Sequence, residues 1–189
     1  MIEPTLGGRI GRLVDEFFER RGTAFREAAA ACAAALDRGG TILAFGNGGS
    51  AAEAQHFVAE LVNKFLKPRR ALRAVTLSAD TSILTSIGND LSFEAVFSRQ
   101  IEALGRSGDV VVALSTSGQS PNIVAALALA KAMGLTTIAL TGRGGGKLGP
   151  SADFLLDVDS CETPRIQEVH LAVIHVLAEE IENRLQRVD

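Results

Sequence analysis

The chain has 189 residues, of which 47% are hydrophobic and 22% are charged, and its formal net charge is −3. A chain of this length fills one core but is short for two, so we expect a single domain over residues 1–189. Because there is no basic excess, and the 5% of aromatic residues are all Phe, nucleic-acid binding is not expected. The two cysteines, Cys32 and Cys161, cannot form a disulfide framework.

We expect neither a targeting signal nor a membrane anchor. The first 22 residues contain acids and arginines without a continuous apolar segment, unlike a signal peptide. The most apolar stretches are about six residues long, which is strand length and far below the roughly 20 residues that cross a bilayer. Together with the isolated cysteines, these features predict a cytoplasmic protein in a reducing compartment, with no membrane partner.

Helix and strand patterns alternate along the chain. The first forty residues predict two helices, the second of which is Ala-rich and ends at Gly39 and Gly40. Five nearly uninterrupted apolar runs are typical of parallel strands covered on both faces, and they occupy residues 41–45, 74–77, 110–115, 136–141 and 154–158. Helical composition marks residues 50–65, 80–104, 123–133 and 166–185.

This alternation predicts an α/β fold, in which a doubly wound, five-stranded parallel sheet is flanked by helices. Residues 1–40 would form N-terminal helices, and residues 41–189 the α/β core. In such a sheet, ligands bind at the carboxyl ends of the strands, near a change in strand order. The segments that directly follow the strands are therefore the candidates for a binding site.

Two of these segments suit an anion. Residues 46–50, GNGGS, combine glycines that admit a ligand to the backbone with a following helix N-terminus, although a plain turn with Ser50 as N-cap also explains them. Neither dinucleotide nor ATP-binding spacing is present. The second segment precedes Pro121 and holds four hydroxyls, more than a capping loop needs: Ser115, Thr116, Ser117 and Ser120. Residues 141–146 predict only a flexible connection with Arg143 exposed.

All three histidines fall on two predicted helices. His56 and Glu60 are four residues apart and share one helix face, whereas His170 and His175 accompany Gln167 on the last helix. A carboxylate with one or two histidines can bind a divalent metal. By spacing alone, a solvated His–Glu pair is the commoner explanation.

Four motifs, in order, resemble the sugar isomerase (SIS) family, and more narrowly the bacterial phosphoheptose isomerases. They are GNGGSAAEAQH at 46–56, DTSILTSIGND at 80–90, STSGQSPNI at 115–123 and TPRIQEVH at 163–170, followed by His175. The resemblance covers nearly the whole chain and implies the SIS fold in one domain. It also implies a homotetramer with sites between subunits, so that metal ligands from the two helices can come from different chains.

The resemblance further implies residue roles. The phosphate is expected on Ser115, Thr116, Ser117 and Ser120, with Asn47, Gly48, Gly49 and Ser50 nearby. Contacts to the sugar chain are expected from Asn47, Glu60, Asn89, Asp90 and Gln167. One zinc ion per subunit is expected on His56, Glu60, Gln167 and His175. His170 does not match a metal position of the family and is expected to be structural.

The implied reaction converts sedoheptulose 7-phosphate to D-glycero-D-manno-heptose 7-phosphate, the first step of bacterial ADP- and GDP-heptose synthesis. Moving a proton between adjacent carbons through an enediol needs one group acting on carbon, another acting on oxygen, and stabilisation of the enediolate. Glu60 on carbon and His175 on oxygen or the second carbon, or the reverse, supply the acid–base pair. A metal beside them would stabilise the oxyanion.

Three alternatives stay open. Some SIS proteins are adaptors of the replication initiator that have lost catalytic side chains, whereas Glu60 and His175 are present here. A sugar-phosphate sensor of a regulator normally carries a DNA-binding segment, for which this chain has no room. An SIS isomerase that acts on hexose or pentose phosphates is the nearest alternative enzyme.

Overall fold

A computed structural model of the protein describes residues 6–186, in which one long helix precedes an alternating β/α core. The strands are β1 (Ile42–Gly46), β2 (Ala74–Thr76), β3 (Val110–Ser115), β4 (Thr136–Thr141) and β5 (Phe154–Asp157). The helices are α1 (Leu6–Asp37), α2 (Gly49–Val62), α3 (Thr81–Asp90), α4 (Ser98–Leu104), α5 (Pro121–Ala132) and α6 (Thr163–Leu185). Short 3₁₀ turns occupy Phe93–Ala95 and Gly146–Ser151.

The five strands form one parallel sheet in the order β2-β1-β3-β4-β5, which confirms the predicted α/β fold. The strand order reverses between β1 and β3, so the loops that leave these two strands lie on either side of a switch point. Strands β1 and β3 are buried along their whole length because helices cover both faces of the sheet. This explains their uninterrupted apolar sequences.

Helices α1, α2 and α6 pack on one face of the sheet, where Phe17, Phe57 and Val173 belong to one core cluster. The other face is covered by α4 and α5, with Ile101 and Leu127 in a second cluster. Because α2 and α6 lie side by side, polar residues from the middle of each helix meet. None of the helices in the described part of the chain combines the length and apolar character needed to cross a membrane.

Two predicted helix boundaries were wrong. One helix, α1, takes the place of the two predicted N-terminal helices. A glycine such as Gly22 inside a helix costs only about 1 kcal/mol, and Phe17 and Phe25 on either side of it are buried in the core. The predicted helix over residues 80–104 is divided into α3, a 3₁₀ turn and α4, because the Ser92 hydroxyl accepts a hydrogen bond from the Ala95 N–H and starts a new turn. Residues 1–5 of the predicted N-terminal segment lie outside the described residues.

Candidate functional site

A cavity of about 230 Å³ lies at the carboxyl ends of β1 and β3, at the switch point of the sheet. The residues predicted for the site that line it are Asn47, Gly49, Ser50, Ser115, Thr116, Ser117, Ser120 and Gln167. Thr163, the first residue of α6, lines it too and was missed, because a lone threonine before a helix reads as an ordinary cap. None of the described residues in its wall is Lys or Arg, so hydroxyl groups and backbone N–H groups would bind an anion here.

The loop after β1, residues 46–49, is shaped to bring a helix N-terminus to the cavity. Gly48 has φ 55°, a conformation that favours glycine. A Cβ atom on Gly49 would collide with the Gln167 amide, so a larger residue here would displace that side chain. The Asn47 side chain is held by a reciprocal amide pair with Asn122 at 2.9 and 3.0 Å. Asn122 was missed because its partner is 75 residues away.

The loop after β3, which we call the hydroxyl loop (residues 115–120), opens α5. Ser120 occupies the N-cap position, but its side chain caps no backbone N–H of the described chain, and Pro121 follows it. The Ser120 hydroxyl is therefore available to a ligand. The Ser115 and Ser117 hydroxyls accept hydrogen bonds from Gly118 N–H (3.1 Å) and Gln119 N–H (3.2 Å), which leaves their own protons free to be donated.

Residues 141–146 were predicted to be a flexible connection, but residues 142–147 support the hydroxyl loop. The Gly142 N–H donates to the Thr116 carbonyl at 3.0 Å, and the Lys147 N–H donates to the Gly118 carbonyl at 2.8 Å. A Cβ atom on Gly118 would lie 2.3 Å from the Gly145 carbonyl oxygen, so the two glycine-containing backbones are in direct contact. Arg143 is exposed, as predicted, and its side chain pairs with an aspartate.

Asp157 anchors the segment that supports the hydroxyl loop. It is buried at the end of β5, where it accepts hydrogen bonds from the Gly144 N–H at 2.9 Å and from Nε of Arg21 at 2.5 Å. Burial opposes ionisation, but the Gly144 hydrogen bond and the Arg21 and Arg20 guanidinium groups outweigh it and lower the Asp157 pKa. Helix α1 is thereby linked to the cavity, a contact between residues too distant in sequence to predict.

His56, Glu60 and His175, which we call the histidine cluster, meet in one chain. Nε2 of His56 lies 2.7 Å from Nε2 of His175 and 3.5 Å from Oε1 of Glu60. The Phe65 ring stacks on His175, with centroids 5.5 Å apart. A hydrogen bond between two ring nitrogens requires one with a proton and one without, so the cluster can both donate and accept a proton.

The histidine cluster does not line the 230 Å³ cavity. Ser50, which lines the cavity, and His56 are six residues apart on α2, about 9 Å along the helix axis. Gln167 and His175 are separated by eight residues, about 12 Å, on the neighbouring α6. The cavity and the histidine cluster are therefore about 9 to 12 Å apart along the two helices.

The histidine cluster matches zinc in the kinds of its donor atoms, two imidazole nitrogens and a carboxylate oxygen. The two nitrogens are in hydrogen-bond contact, so an ion would enter by separating them, and no group of three His, Cys, Asp or Glu among residues 6–186 is already arranged around an ion position. Gln167, the fourth predicted ligand, lies instead against Gly49 in the cavity. The ligands on α2 and α6 need not come from different chains.

Asn89 and Asp90, predicted to contact the sugar, are exposed at the end of α3 and do not line the cavity. Their side chains hydrogen-bond to each other at 2.7 Å. His170 is fully buried, with Nε2 3.2 Å from the Thr141 carbonyl, which agrees with the structural role expected for it. Gly48 lies in the loop after β1 but does not line the cavity itself.

A buried ion pair supports the histidine cluster and was missed in the sequence. Glu182 accepts hydrogen bonds from the Phe65 N–H (2.7 Å) and from Nε of Arg69 (3.0 Å). The Arg69 guanidinium donates in turn to the Glu60 carbonyl at 2.7 Å, at the end of α2, where helix carbonyls lack partners. The side chains of Glu182 and Arg69 are only 1% and 5% exposed. This pair fixes the backbone that carries Glu60 and Phe65.

The fold and this site define a doubly wound α/β protein with a hydroxyl-lined cavity at its switch point and a separate cluster of two histidines and a glutamate. Residues 8–142 match the family model of the SIS domain. The chain is 53% identical to the phosphoheptose isomerase of Desulfovibrio desulfuricans over 89% of this chain and 80% of that protein. It therefore belongs to the phosphoheptose isomerase family of SIS-domain proteins.

Solved structures agree with this assignment. The chain resembles the phosphoheptose isomerase structure from Neisseria gonorrhoeae with a TM-score of 0.86 and 43% identity, over 93% of this chain and 94% of that one. The structure of a phosphoheptose isomerase from Francisella tularensis matches with a TM-score of 0.90 and 34% identity, over 95% of both chains. The family predicted from the four sequence motifs is thus confirmed.

Proposed function

We propose that this protein is the aldose–ketose isomerase that converts sedoheptulose 7-phosphate to D-glycero-D-manno-heptose 7-phosphate at the start of nucleotide-activated heptose synthesis. The observation that carries the proposal is the position of two sites on α2 and α6. A hydroxyl-lined cavity lies at the start of these helices, and the histidine cluster lies farther along them. Membership of the phosphoheptose isomerase family supports the choice of substrate.

The cavity would hold the phosphate and the histidine cluster would act on the carbonyl end of the sugar. With bonds of about 1.5 Å, an extended sugar of six or seven carbons and its phosphate reach on the order of 10 Å, comparable with the separation of the two sites. The hydroxyl loop would bind the phosphate through Ser115, Thr116, Ser117 and Ser120, and Asn47, Gly48, Gly49, Ser50 and Gln167 would complete the contacts.

Glu60 and His175 would transfer the protons of the enediol step. Glu60 is a carboxylate within reach of a histidine pair, and we assign it to the proton on carbon, with His175 on oxygen or the second carbon. The reverse assignment uses the same geometry. Nε2 of His56 contacts both side chains, and this contact would orient whichever of them accepts the proton.

We propose one zinc ion per subunit, held by His56, Glu60 and His175, with Gln167 reaching the ion only if its amide leaves Gly49. Bound zinc would supply a positive charge that stabilises the enediolate oxygen. A donor atom bound to zinc cannot accept a proton at the same time, so Glu60 and His175 would move protons through their other donor atoms, the second carboxylate oxygen and Nδ1. The other site residues would bind the phosphate and orient the sugar.

We propose a homotetramer with sites between subunits, in one SIS domain over residues 1–189. Helix α3 has no buried residue within the described chain, while Leu91 and Phe93 beside it are 62% and 65% exposed. A neighbouring copy would cover these apolar side chains. Asn89 and Asp90 of this chain would then lie against the substrate bound to that copy. The cytoplasmic location stays a prediction.

Incubation with ketose phosphates tests the proposed function directly. We expect the purified protein to convert sedoheptulose 7-phosphate to an aldose, observed as new anomeric proton signals by NMR, and to convert five- and six-carbon ketose phosphates much more slowly. Conversion of a shorter ketose alone would assign a different SIS isomerase activity. Lack of conversion of all of them, by protein with zinc added, would favour an adaptor.

Removal of the metal tests the zinc assignment. After chelation and dialysis we expect turnover to fall by at least about tenfold and to return on addition of zinc, because a charge on the enediolate oxygen is lost and regained. Zinc content should fall in His56→Ala as measured by elemental analysis of the protein. Turnover that is indifferent to both chelation and zinc would remove the ion from the reaction.

A further inference from the structure

We propose that Glu53 and His170 form a buried hydrogen bond, in which a neutral Glu53 carboxylic acid donates to Nδ1 of His170, and that this bond positions Ser50 for the substrate phosphate. The inference rests on the proposed function, since the phosphate is the ligand that Ser50 would meet. Glu53 and His170 are positioning residues, because they would act on the phosphate only through Ser50.

The tautomer of His170 follows from its partners. The side chain is fully buried on α6, and Nε2 lies 3.2 Å from the Thr141 carbonyl oxygen. A carbonyl oxygen can only accept, so Nε2 carries a proton. In a neutral imidazole Nδ1 is then a bare acceptor. Nδ1 is buried and has no hydrogen-bond partner among residues 6–186, which leaves it in need of a donor.

Glu53 is the group that can supply this donor. Its Oε2 is also buried without a partner in the described chain, and it lies 3.9 Å from Nδ1 of His170. Two bare acceptors facing each other are both unsatisfied, whereas one proton between them satisfies both after a small rotation of the carboxyl group. Glu53 and His170 occupy neighbouring turns of α2 and α6, so no backbone change is needed.

Burial determines which of the two groups holds that proton. Desolvation raises the pKa of Glu53 to about 7, although a hydrogen bond to Ser50 opposes the rise. Desolvation lowers the pKa of His170 to about 4, against the opposing hydrogen bond to Thr141. Both shifts favour the neutral acid beside the neutral imidazole over an ion pair, which agrees with the hydrogen-bond requirement of Nδ1.

Ser50 connects this pair to the cavity. It is buried one turn before Glu53 on α2, lines the cavity, and has its hydroxyl close enough to the Glu53 carboxyl to oppose the rise of the Glu53 pKa. An ionised carboxylate would accept the Ser50 proton and place a negative charge close to the phosphate. A neutral acid that donates to His170 keeps only its carbonyl oxygen as an acceptor, so it orients the Ser50 hydroxyl with a weak, uncharged hydrogen bond that a charged phosphate oxygen can replace.

Steady-state kinetics of matched variants test the positioning role. In Glu53→Leu we expect KM for sedoheptulose 7-phosphate to rise about tenfold, with kcat within about threefold, because Ser50 loses the acceptor that orients its hydroxyl toward the phosphate. Glu53→Gln should restore a KM near that of the parent, since its amide N–H donates to Nδ1. Gln55→Leu, an exposed change on the same helix, is the control.

A double-mutant cycle tests whether Glu53 acts through Ser50. Ser50→Ala should raise KM as Glu53→Leu does, and the two changes together should raise KM little further.

Nitrogen NMR of the His170 ring supplies a readout that does not depend on turnover. We expect the neutral Nε2–H tautomer near neutral pH, with a hydrogen-bonded Nδ1 that becomes free in Glu53→Leu. An imidazolium ring, an Nδ1–H tautomer, or a Glu53→Leu KM equal to that of the parent would overturn the proposal. If the parent does not convert sedoheptulose 7-phosphate, the proposed function fails. The His170 spectrum and the affinities of the parent and of Glu53→Leu for inorganic phosphate then decide whether the pair positions Ser50. Should Glu53→Leu not fold, the His170 spectrum of the parent and the KM of Glu53→Gln decide the outcome.

Discussion

Glu60→Gln is expected to lower kcat for sedoheptulose 7-phosphate by a factor on the order of 10²–10⁴, the usual contribution of a positioned acid or base. Gln keeps the shape of the side chain but cannot accept a proton from carbon. The side chain is 22% exposed and its nearest partner is His56, so the change should leave the fold intact. The measurement is kcat by NMR or a coupled assay, with thermal unfolding as the check on folding.

His175→Gln is the companion variant and should lose a comparable factor, because it removes the other proton-transfer group. The double variant should lose much less than the two single losses, expressed as activation free energies, added together. Such a result would show that Glu60 and His175 act as a unit. Glu180→Gln, a half-buried acid on α6 outside the histidine cluster, is the control and should keep its activity. Near-parent kcat in both Glu60→Gln and His175→Gln would contradict the acid–base assignment.

Glu182→Ala is expected to destabilise the protein by about 3–5 kcal/mol, because it leaves the buried Arg69 guanidinium without a compensating charge. It also removes the acceptor of the Phe65, Leu66 and Lys67 N–H groups. Urea unfolding measures the loss. Glu102→Ala, which breaks only an exposed pair with Arg99 on α4, should change stability by less than about 1 kcal/mol.

The pH dependence of the same variant separates charge from packing. Burial alone would raise the Glu182 pKa, but three backbone N–H groups and Arg69 outweigh it and hold the pKa below its ordinary value. A carboxyl with a lowered pKa contributes stability that is present above its unfolded pKa and disappears as pH falls through the folded one. The stability difference between the parent and Glu182→Ala should therefore shrink in acid. A difference that is constant down to strongly acid pH would assign the loss to packing.

The strands and the two anion-binding loops could be predicted from sequence because their signals are local. Strands β3 and β4 coincide with the predicted residues 110–115 and 136–141, since burial on both faces imposes an uninterrupted apolar run. The hydroxyl loop was evident because four hydroxyls before Pro121 exceed what a cap requires. Helix boundaries were less predictable, since Gly22 does not interrupt a helix that is held by tertiary packing.

The sequence by itself determined the α/β class, the family and the residue types at the cavity, because periodicity, loop composition and motif order are properties of neighbours along the chain. Only the tertiary structure decided that His56 and His175 touch, that residues 142–147 support the hydroxyl loop, and that Arg69 and Glu182 fix the end of α2. These contacts join residues between 26 and 119 positions apart, so no local pattern encodes them. They arise when the sheet brings the ends of β1 and β3 together and lays α2 against α6.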